Sequence, residues 1–357
     1  MTRKELHNWL RTTDPQALEG LWRAADDARS RHVGDAVHLR GLIEISNHCV
    51  RACTYCGLRA PNRDVPRYRM TADEILACAR QAVAFEYGTV VLQAGQDPGI
   101  TVEWMAEVVR RIKAETDLAV TLSLGERDEA DWRAWRAAGA DRYLLRFETS
   151  NRTLYERIHP PVAGVRSDRI ADLRTLQALG YEVGSGVMVG IPGQTYDDLA
   201  DDIELFGESG LDMIGVGPFI AHPATPLGAG GQPSETDPEQ VPNTELMTCK
   251  VMALARLNCP QSNIPSTTAL ATLNRALGRE LGLQRGGNVV MPNLTPVQYR
   301  SSYEIYPAKA CLQEEAADCH GCMKGRILAI GRAVGTGRGD SPHYQAKAAV
   351  DCGQARG

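Results

Sequence analysis

The stretch RGLIEISNHCVRACTYCGLR, residues 40–59, runs a short apolar segment into three cysteines. LIEIS (42–46) reads as a strand. Cys49, Cys53 and Cys56 follow at once, spaced C-x3-C-x2-C. A disulfide pairs two thiols and a structural zinc usually takes four ligands, so a set of three asks for another chemistry. Thiolates are soft ligands suited to iron–sulfur clusters, zinc and copper(I). A [4Fe–4S] cube normally takes four of them. With three, one iron keeps an open coordination position, where a substrate can bind and take an electron. The competing reading is a zinc loop completed by a fourth ligand such as His48.

Further apolar runs follow the first: TVVLQA (89–94), LAVTLSL (118–124), YLLRFE (143–148), EVGSGVMVG (182–190), MIGVGPF (213–219), a weaker SNIPSTTA (262–269) and NVVMPN (288–293). Segments of helical period lie between most of them. ADEILACARQAVAFEYG (72–88) follows Thr71, with Glu74 three residues on, a capping-box pattern. Thr195 precedes YDDLADDIELFGESG in the same way, with acids in the first turn to suit the helix dipole. Strands alternating with helices imply parallel strands joined by right-handed crossovers. Eight such units predict an α/β fold, a (β/α)8 TIM-type barrel; an open doubly wound sheet is the alternative. A helical extension (1–34) precedes the barrel (35–300). A cysteine-bearing segment (301–334) and a polar, Gly-rich tail (335–357) come after it. In such barrels chemistry sits in loops after the strands. The cysteine triplet lies there, as do GQD (95–97), GER (125–127), GIPGQT (190–195) and PNLTP (292–296).

The 357 residues carry a formal charge of -5. That gives no basic footprint, so no nucleic-acid partner is expected. No apolar run approaches the length of a membrane span, about 18 residues. The start, MTRKELHNWLRTTDPQALEG, is a polar helical pattern rather than an export signal. Ten cysteines without such a signal point to a reducing cytoplasm and to metal-binding or catalytic thiols.

C-x3-C-x-Tyr55-Cys56, opening the first loop of a predicted barrel, resembles the radical S-adenosylmethionine (SAM) superfamily. RGLIEISNHCVRACTYCGLR, VVLQAGQD, TLSLGE, DRYLLRFETSN, VMVGIPGQT, GVGPFIAHPATPL, NIPSTTA, NVVMPNLTP and YEIYPAKAC together resemble the HydE family, over about residues 38–330. These maturases help build the organometallic subcluster of [FeFe]-hydrogenase; biotin synthase and methylornithine synthase are relatives in the same branch. The resemblance implies a [4Fe–4S] cluster on Cys49, Cys53 and Cys56, with SAM chelated at its open iron. One electron from an external donor then cleaves SAM to a 5′-deoxyadenosyl radical. The implied substrate is a cysteine-bound Fe(CO)2(CN) complex supplied by HydG, with HydF as a further partner. An amino-acid-derived substrate, as in a methylornithine-synthase-like mutase, is the second reading, and a non-catalytic metal carrier the third.

By the same resemblance Glu148 of FETSN and Arg169 of SDRIADL contact SAM. Tyr55 matches an aromatic that lies near adenine. Gly95 and Gln96 match a Gly-Gly-Glu loop whose carbonyls receive the SAM ammonium; this sequence departs from the glutamate form. Bland readings stand beside these: an ion pair of Glu148 with Arg146, a solvated helix face for Arg169, packing for Tyr55. Polar strand ends, Ser123, Arg146, Thr267 and Thr268, are candidates for binding the second substrate. A buried arginine asks for an anion, so Arg146 calls for Glu148 or a substrate carboxylate. Met213, Tyr303 and Tyr306 shape the cavity or pack in the core. Phe147 stands where some family members have His, which removes a proton-transfer role there. His222 faces the cavity or orders its own loop. GIPGQT reads as a tight turn capped by Thr195, since no lysine follows as in a P-loop.

A second triplet, Cys311, Cys319 and Cys322 in CLQEEAADCHGC, has the spacing C-x7-C-x2-C. In many HydE proteins this spacing binds an accessory cluster, here [2Fe–2S] or [4Fe–4S]. Free thiols, or zinc completed by His320, are the other readings. Cys78, Cys249, Cys259 and Cys352 have no ligand spacing and read as buried or surface thiols.

Overall fold

The computed structural model describes residues 1–162, 167–230 and 237–347. Its strands are β1 (Ala36–Ser46), β2 (Thr89–Ala94), β3 (Ala119–Ser123), β4 (Arg142–Leu144), β5 (Glu182–Val189), β6 (Met213–Pro218), β7 (Val289–Val290) and β8 (Ala333–Val334). All pair in parallel, in the order β6-β5-β4-β3-β2-β1-β7, and β8 adds to the start of β1. Helices cross back over the outside, as a TIM-type α/β barrel requires. The helix Val102–Glu115 turns Met105, Val108, Val109 and Ile112 inward, one face at helical spacing. They meet Val90, Leu92, Val120 and Leu122, which have no exposed surface.

Two strands differ from expectation. YLLRFE pairs as a strand only over Arg142–Leu144, and further on a single bridge joins Glu148 to Val187. Glu148 takes φ 64°, outside the strand region, and this turns the chain out of the ladder. SNIPSTTA forms no strand. Asn263 bridges Met213 and Pro265 bridges Val289, so single parallel bridges complete the circle from β6 to β7. Pro265 has no N–H to give a ladder. Two residues later Thr267 already caps the helix Thr268–Leu273.

The helices Arg3–Arg11 and Pro15–Val33 lie outside the barrel, against the helix Glu245–Asn258. Lys250 pins them by donating to the carbonyls of Leu10 and Thr12. The segment 335–347, expected as a polar tail, instead covers the N-terminal ends of the strands. Buried Arg142 pairs with Glu182 and Asp340 and donates to Thr89 Oγ1 (2.8 Å) and the Arg338 carbonyl (2.9 Å). Ser341 N–H donates to Glu182, and His343 meets Asp212 at 2.8 Å. The sequence hid this because the anchors are isolated polar residues rather than an apolar face. Residues 348–357, with Cys352, lie outside the described residues. Among the described residues no helix is long and apolar enough to cross a membrane.

The loop after β4 is tied to the helix Tyr196–Glu208. Ser150 donates through N–H (2.5 Å) and Oγ (2.7 Å) to buried Asp202. Burial pushes the Asp202 carboxyl up to about 7, and the Asp198 and Asp201 charges add to the rise.

Two measurements test these anchors. Glu182→Ala leaves Arg142 with Asp340 alone and is expected to lose about 3 kcal/mol in urea unfolding. A loss below about 1 kcal/mol would mean that the C-terminal segment neutralises Arg142 unaided. Asp202, with its carboxyl raised in the folded state, contributes stability that is full below its unfolded value of 3.8 and lost as pH rises through about 7. Asp202→Asn should therefore flatten the pH dependence of unfolding between about pH 4 and 7, by up to about 1.4 kcal/mol per pH unit. An unchanged slope would show Asp202 to be ionised in the folded protein.

Candidate active site

The cysteine loop leaves β1 at Ser46 and forms no helix or strand before Arg67. Its carbonyls therefore need partners from elsewhere. Arg67 supplies them, donating to the carbonyls of Asn47 (2.5 Å), Leu58, Arg59 and Asn62 (each 2.9 Å). Asn47 closes the other side, with Nδ2 on the Pro66 and Ser302 carbonyls. The loop after β2 is bound to it: Val50 N–H donates to the Gln96 carbonyl at 3.0 Å and Gly95 N–H to that of Ser46. Gly95 has to be glycine, because a Cβ there would run into the His48 carbonyl and Cys49 Cβ. Buried Asp97 joins the two loops, receiving Ser46 Oγ (2.6 Å) and both Nε and Nη2 of Arg69.

These loops open on a cavity of about 330 Å³ inside the barrel mouth. Cys49, Cys53, Tyr55, Cys56, Gly95, Gln96, Glu148 and Arg169 all line it. Ser123, Arg146, Met213, Thr267, Thr268, Tyr303 and Tyr306 line it as well. The structure thus gathers every residue expected to hold the first cluster, SAM or substrate around one space. The three thiols do not converge as ligands of a single ion would; among the described residues no such group of three exists. Burial pushes Cys53 up to about 12 and Cys56 higher still. The Cys53 and Cys56 thiols are therefore protonated at neutral pH, and loading a metal there must release their protons.

Arg169 begins the helix Arg169–Ala178 and reaches back into the barrel. It donates to the Arg146 carbonyl (2.7 Å) and to Glu126 Oε1 (3.2 Å). The same oxygen receives Ser167 Oγ (2.7 Å) and Tyr155 OH (3.2 Å). Tyr155 stacks on His159 at 4.7 Å, and His159 Nε2 shares a hydrogen bond with Tyr55 OH (3.1 Å). Burial first, then the charges of Arg169 and Arg51, hold His159 well below its usual pKa, so it stays neutral. Arg146 stands 3.0 Å from Glu148 and donates to the Val187 carbonyl, so the ion pair between Arg146 and Glu148 is present.

The second-substrate candidates differ in freedom. Thr267 Oγ1 donates to the Val216 carbonyl, and Thr268 Oγ1 receives Arg279 Nη2. Tyr303 OH receives Gln93 Nε2 at 3.2 Å. Met213 lies deep, its Sδ 3.2 Å from Arg40 Nη1. Phe147 turns away from the cavity and packs on Phe206. His222 orders its loop: Nδ1 receives Ala224 N–H, and the ring packs over Gly57. Gln194 Oε1 binds the Gly190 and Ile191 N–H groups, which makes GIPGQT the tight turn expected. Cys78, Cys249 and Cys259 are buried.

Sequence reasoning missed three contributors. Glu126 sits in GER, named only as a rim loop, yet it orients Arg169. Arg51 lies within the motif itself and was passed over as spacing. Lys309 comes from beyond the expected barrel boundary, crosses the mouth and pairs with buried Glu44. Of the second triplet, Cys311 and Cys319 both line a small side pocket, while Cys322 is exposed. His320 is turned to the Phe85 and Tyr87 rings.

The cavity also fits a cluster and SAM on its own chemistry. Soft thiols stand beside buried polar atoms that make no hydrogen bond among the described residues: Gln96 Oε1, Glu148 Oε2 and the Arg51 nitrogens. Such atoms, buried, call for a polar ligand.

The profile of the Radical SAM superfamily matches residues 43–206. The [FeFe] hydrogenase maturase subunit HydE of Thermotoga maritima is 45% identical over 94% of this chain and 92% of its own. The 3-methylornithine synthase of Methanosarcina barkeri is 26% identical, over 83% of this chain and 80% of its own. Among solved structures, methylornithine synthase (PylB) superposes with a TM-score of 0.78 over 94% of each chain at 24% identity. HydG from Carboxydothermus hydrogenoformans superposes at 0.75, over 93% of this chain and 75% of its own, at 16% identity. At those identities the two structures show the shared fold. Three thiols on the first barrel loop and 45% identity over nearly the full length lead to one conclusion: the chain belongs to the radical SAM superfamily and, within it, to the HydE family of [FeFe] hydrogenase maturases.

Proposed function

We propose that this enzyme holds a [4Fe–4S] cluster on Cys49, Cys53 and Cys56, binds SAM beside it and acts on a cysteine-bound Fe(CO)2(CN) precursor of the [FeFe]-hydrogenase diiron subcluster. The observation that carries this reading is the meeting of three thiols, three guanidiniums and the Glu148 carboxylate on one cavity at the barrel mouth, with Glu148 Oε2 and the Arg51 nitrogens making no hydrogen bond among the described residues. When bound, the cluster and SAM supply one electron and a 5′-deoxyadenosyl radical.

The chain's own residues do the rest. Arg169, aimed by Glu126, receives the SAM carboxylate as a planar fork. Glu148 receives ribose hydroxyls, and Tyr55, fixed by neutral His159, lies against adenine. The carbonyls beside Gly95 and Gln96 take the ammonium; a side-chain charge at Gln96 is not needed for that. Arg146, Thr267 and Thr268 receive a substrate carboxylate, with Ser123 and Tyr303 along the wall and Met213 at the floor. Tyr303, Tyr306 and Lys309 cover the mouth and exclude water, which a reactive radical requires. Cys311, Cys319 and Cys322 hold an accessory cluster outside the cavity. HydG, HydF and an external reductant are the partners, and the cytoplasm the place of action.

Two experiments test this. The protein is reconstituted anaerobically with iron and sulfide, reduced with dithionite and given SAM, and 5′-deoxyadenosine is quantified with and without the synthetic cysteine–Fe(CO)2(CN) complex. Cleavage should require Cys53, be absent in Cys53→Ala, and change with the complex. Cysteine-dependent cleavage indifferent to the complex would favour an amino-acid mutase, and no cleavage from a loaded cluster would end the enzyme reading. Separately, Arg169→Met should raise the SAM Kd at least about tenfold, roughly 1.4 kcal/mol; an unchanged Kd would move the carboxylate site elsewhere.

A further inference from the structure

Arg51 stands between Cys49 and Cys53, and its side chain is 2% exposed. A guanidinium stays charged and carries five N–H donors. None of the three Arg51 nitrogens has a hydrogen-bond partner among the described residues. Two other buried arginines are well supplied, and no other arginine among the described residues leaves all three nitrogens buried without a hydrogen bond. Arg256 donates to three carbonyls and Asn288, and Arg300 to the carbonyls of Thr295, Asn293, Cys311 and Glu314. The lack at Arg51 is therefore local to the cavity it lines.

The nearest anion to Arg51 is Glu126 Oε2, 3.5 Å away. Glu126 is already committed through Oε1 to Ser167, Tyr155 and Arg169. Two guanidiniums thus share one carboxylate, and His159 beside them is neutral. One positive charge is left over in a buried wall, an arrangement that is costly until an anion arrives. A cluster with three thiolate ligands is such an anion, and it gains one more negative charge on reduction. A cation in low dielectric favours the reduced form through its Coulomb attraction, and hydrogen bonds to sulfur act in the same direction.

We propose that Arg51 donates to the sulfur ligands of the cluster on Cys49, Cys53 and Cys56 and raises its reduction potential, leaving Arg169 for SAM. This deepens the reading that the loop holds a cluster and rests on it. The electron comes from the external reductant; no bond is made or broken.

The test is a reductive titration of the reconstituted protein without SAM, followed by electron paramagnetic resonance, with SAM Kd measured separately. Arg51→Met should lower the midpoint by about 59 mV or more, a tenfold loss in the one-electron equilibrium. Arg51→Lys should recover most of it. Glu126→Gln removes the competing charge and should shift the midpoint the other way, so a sign test survives if Arg51→Met fails to load. SAM Kd in Arg51→Met should stay within about twofold. Midpoints unchanged in Arg51→Met and Glu126→Gln, with a reducible wild-type cluster, would overturn the role of Arg51 and leave the cluster reading intact. A tenfold loss of SAM affinity at unchanged midpoint would reassign Arg51 to SAM. A wild type with no reducible cluster would end the underlying reading itself.

Discussion

The Arg67 guanidinium holds the cysteine loop in place. It takes four carbonyls, from Asn47 at one end of the cysteine stretch and from Leu58, Arg59 and Asn62 at the other. No helix or sheet ladder serves these groups, so the planar fork stands in for secondary structure. Lysine, a point donor on a flexible stem, could not span the four. The thiols are thereby presented at a fixed rim before any ligand arrives. Asp97 extends the frame to the second loop through Ser46 and Arg69, and Gly95 lets the two loops touch.

Electrostatics divides the cavity into two regions. Around Cys53, Arg51 and Arg169 outweigh the carboxylate of Glu126. Across the barrel, the charges cancel in pairs, Arg146 with Glu148 and Lys309 with Glu44. The surplus therefore lies where anionic groups are to gather, and the neutral pairs lie where a second molecule has to fit. Neutral His159 keeps the first region from gaining further charge as pH falls.

Much of this was readable in the amino-acid sequence. The triplet, the alternating runs and the strand-end polar residues led to a barrel with its chemistry at the first loop, and the cavity collects all of those side chains. What escaped reading escaped for physical reasons. Glu126 and Arg51 act through distance to other charges, which spacing does not encode. SNIPSTTA has the composition of a strand, but Pro265 and the cap at Thr267 leave it only single bridges. Residues 335–347 look like part of a polar tail because Arg338, Asp340, Ser341 and His343 bind by isolated polar contacts with no periodic pattern. Lys309 was beyond the boundary set by strand counting, although the segment carrying it completes the cavity.

The pairing of β1 with β7 and β8 has a consequence for how the protein is made. Ala36 pairs with Ala333, so the first strand waits for a partner synthesised almost at the end of the chain. At about 5–20 residues per second, that interval is roughly 15–60 s. During it the cysteine loop, encoded immediately after β1, lies on a sheet that still lacks its β7 and β8 neighbours. Nearer the cysteines the ring closes through Leu42, which bridges Asn293, so the circle beside the loop is completed by the segment carrying β7, and β8 then seals the opposite end of β1.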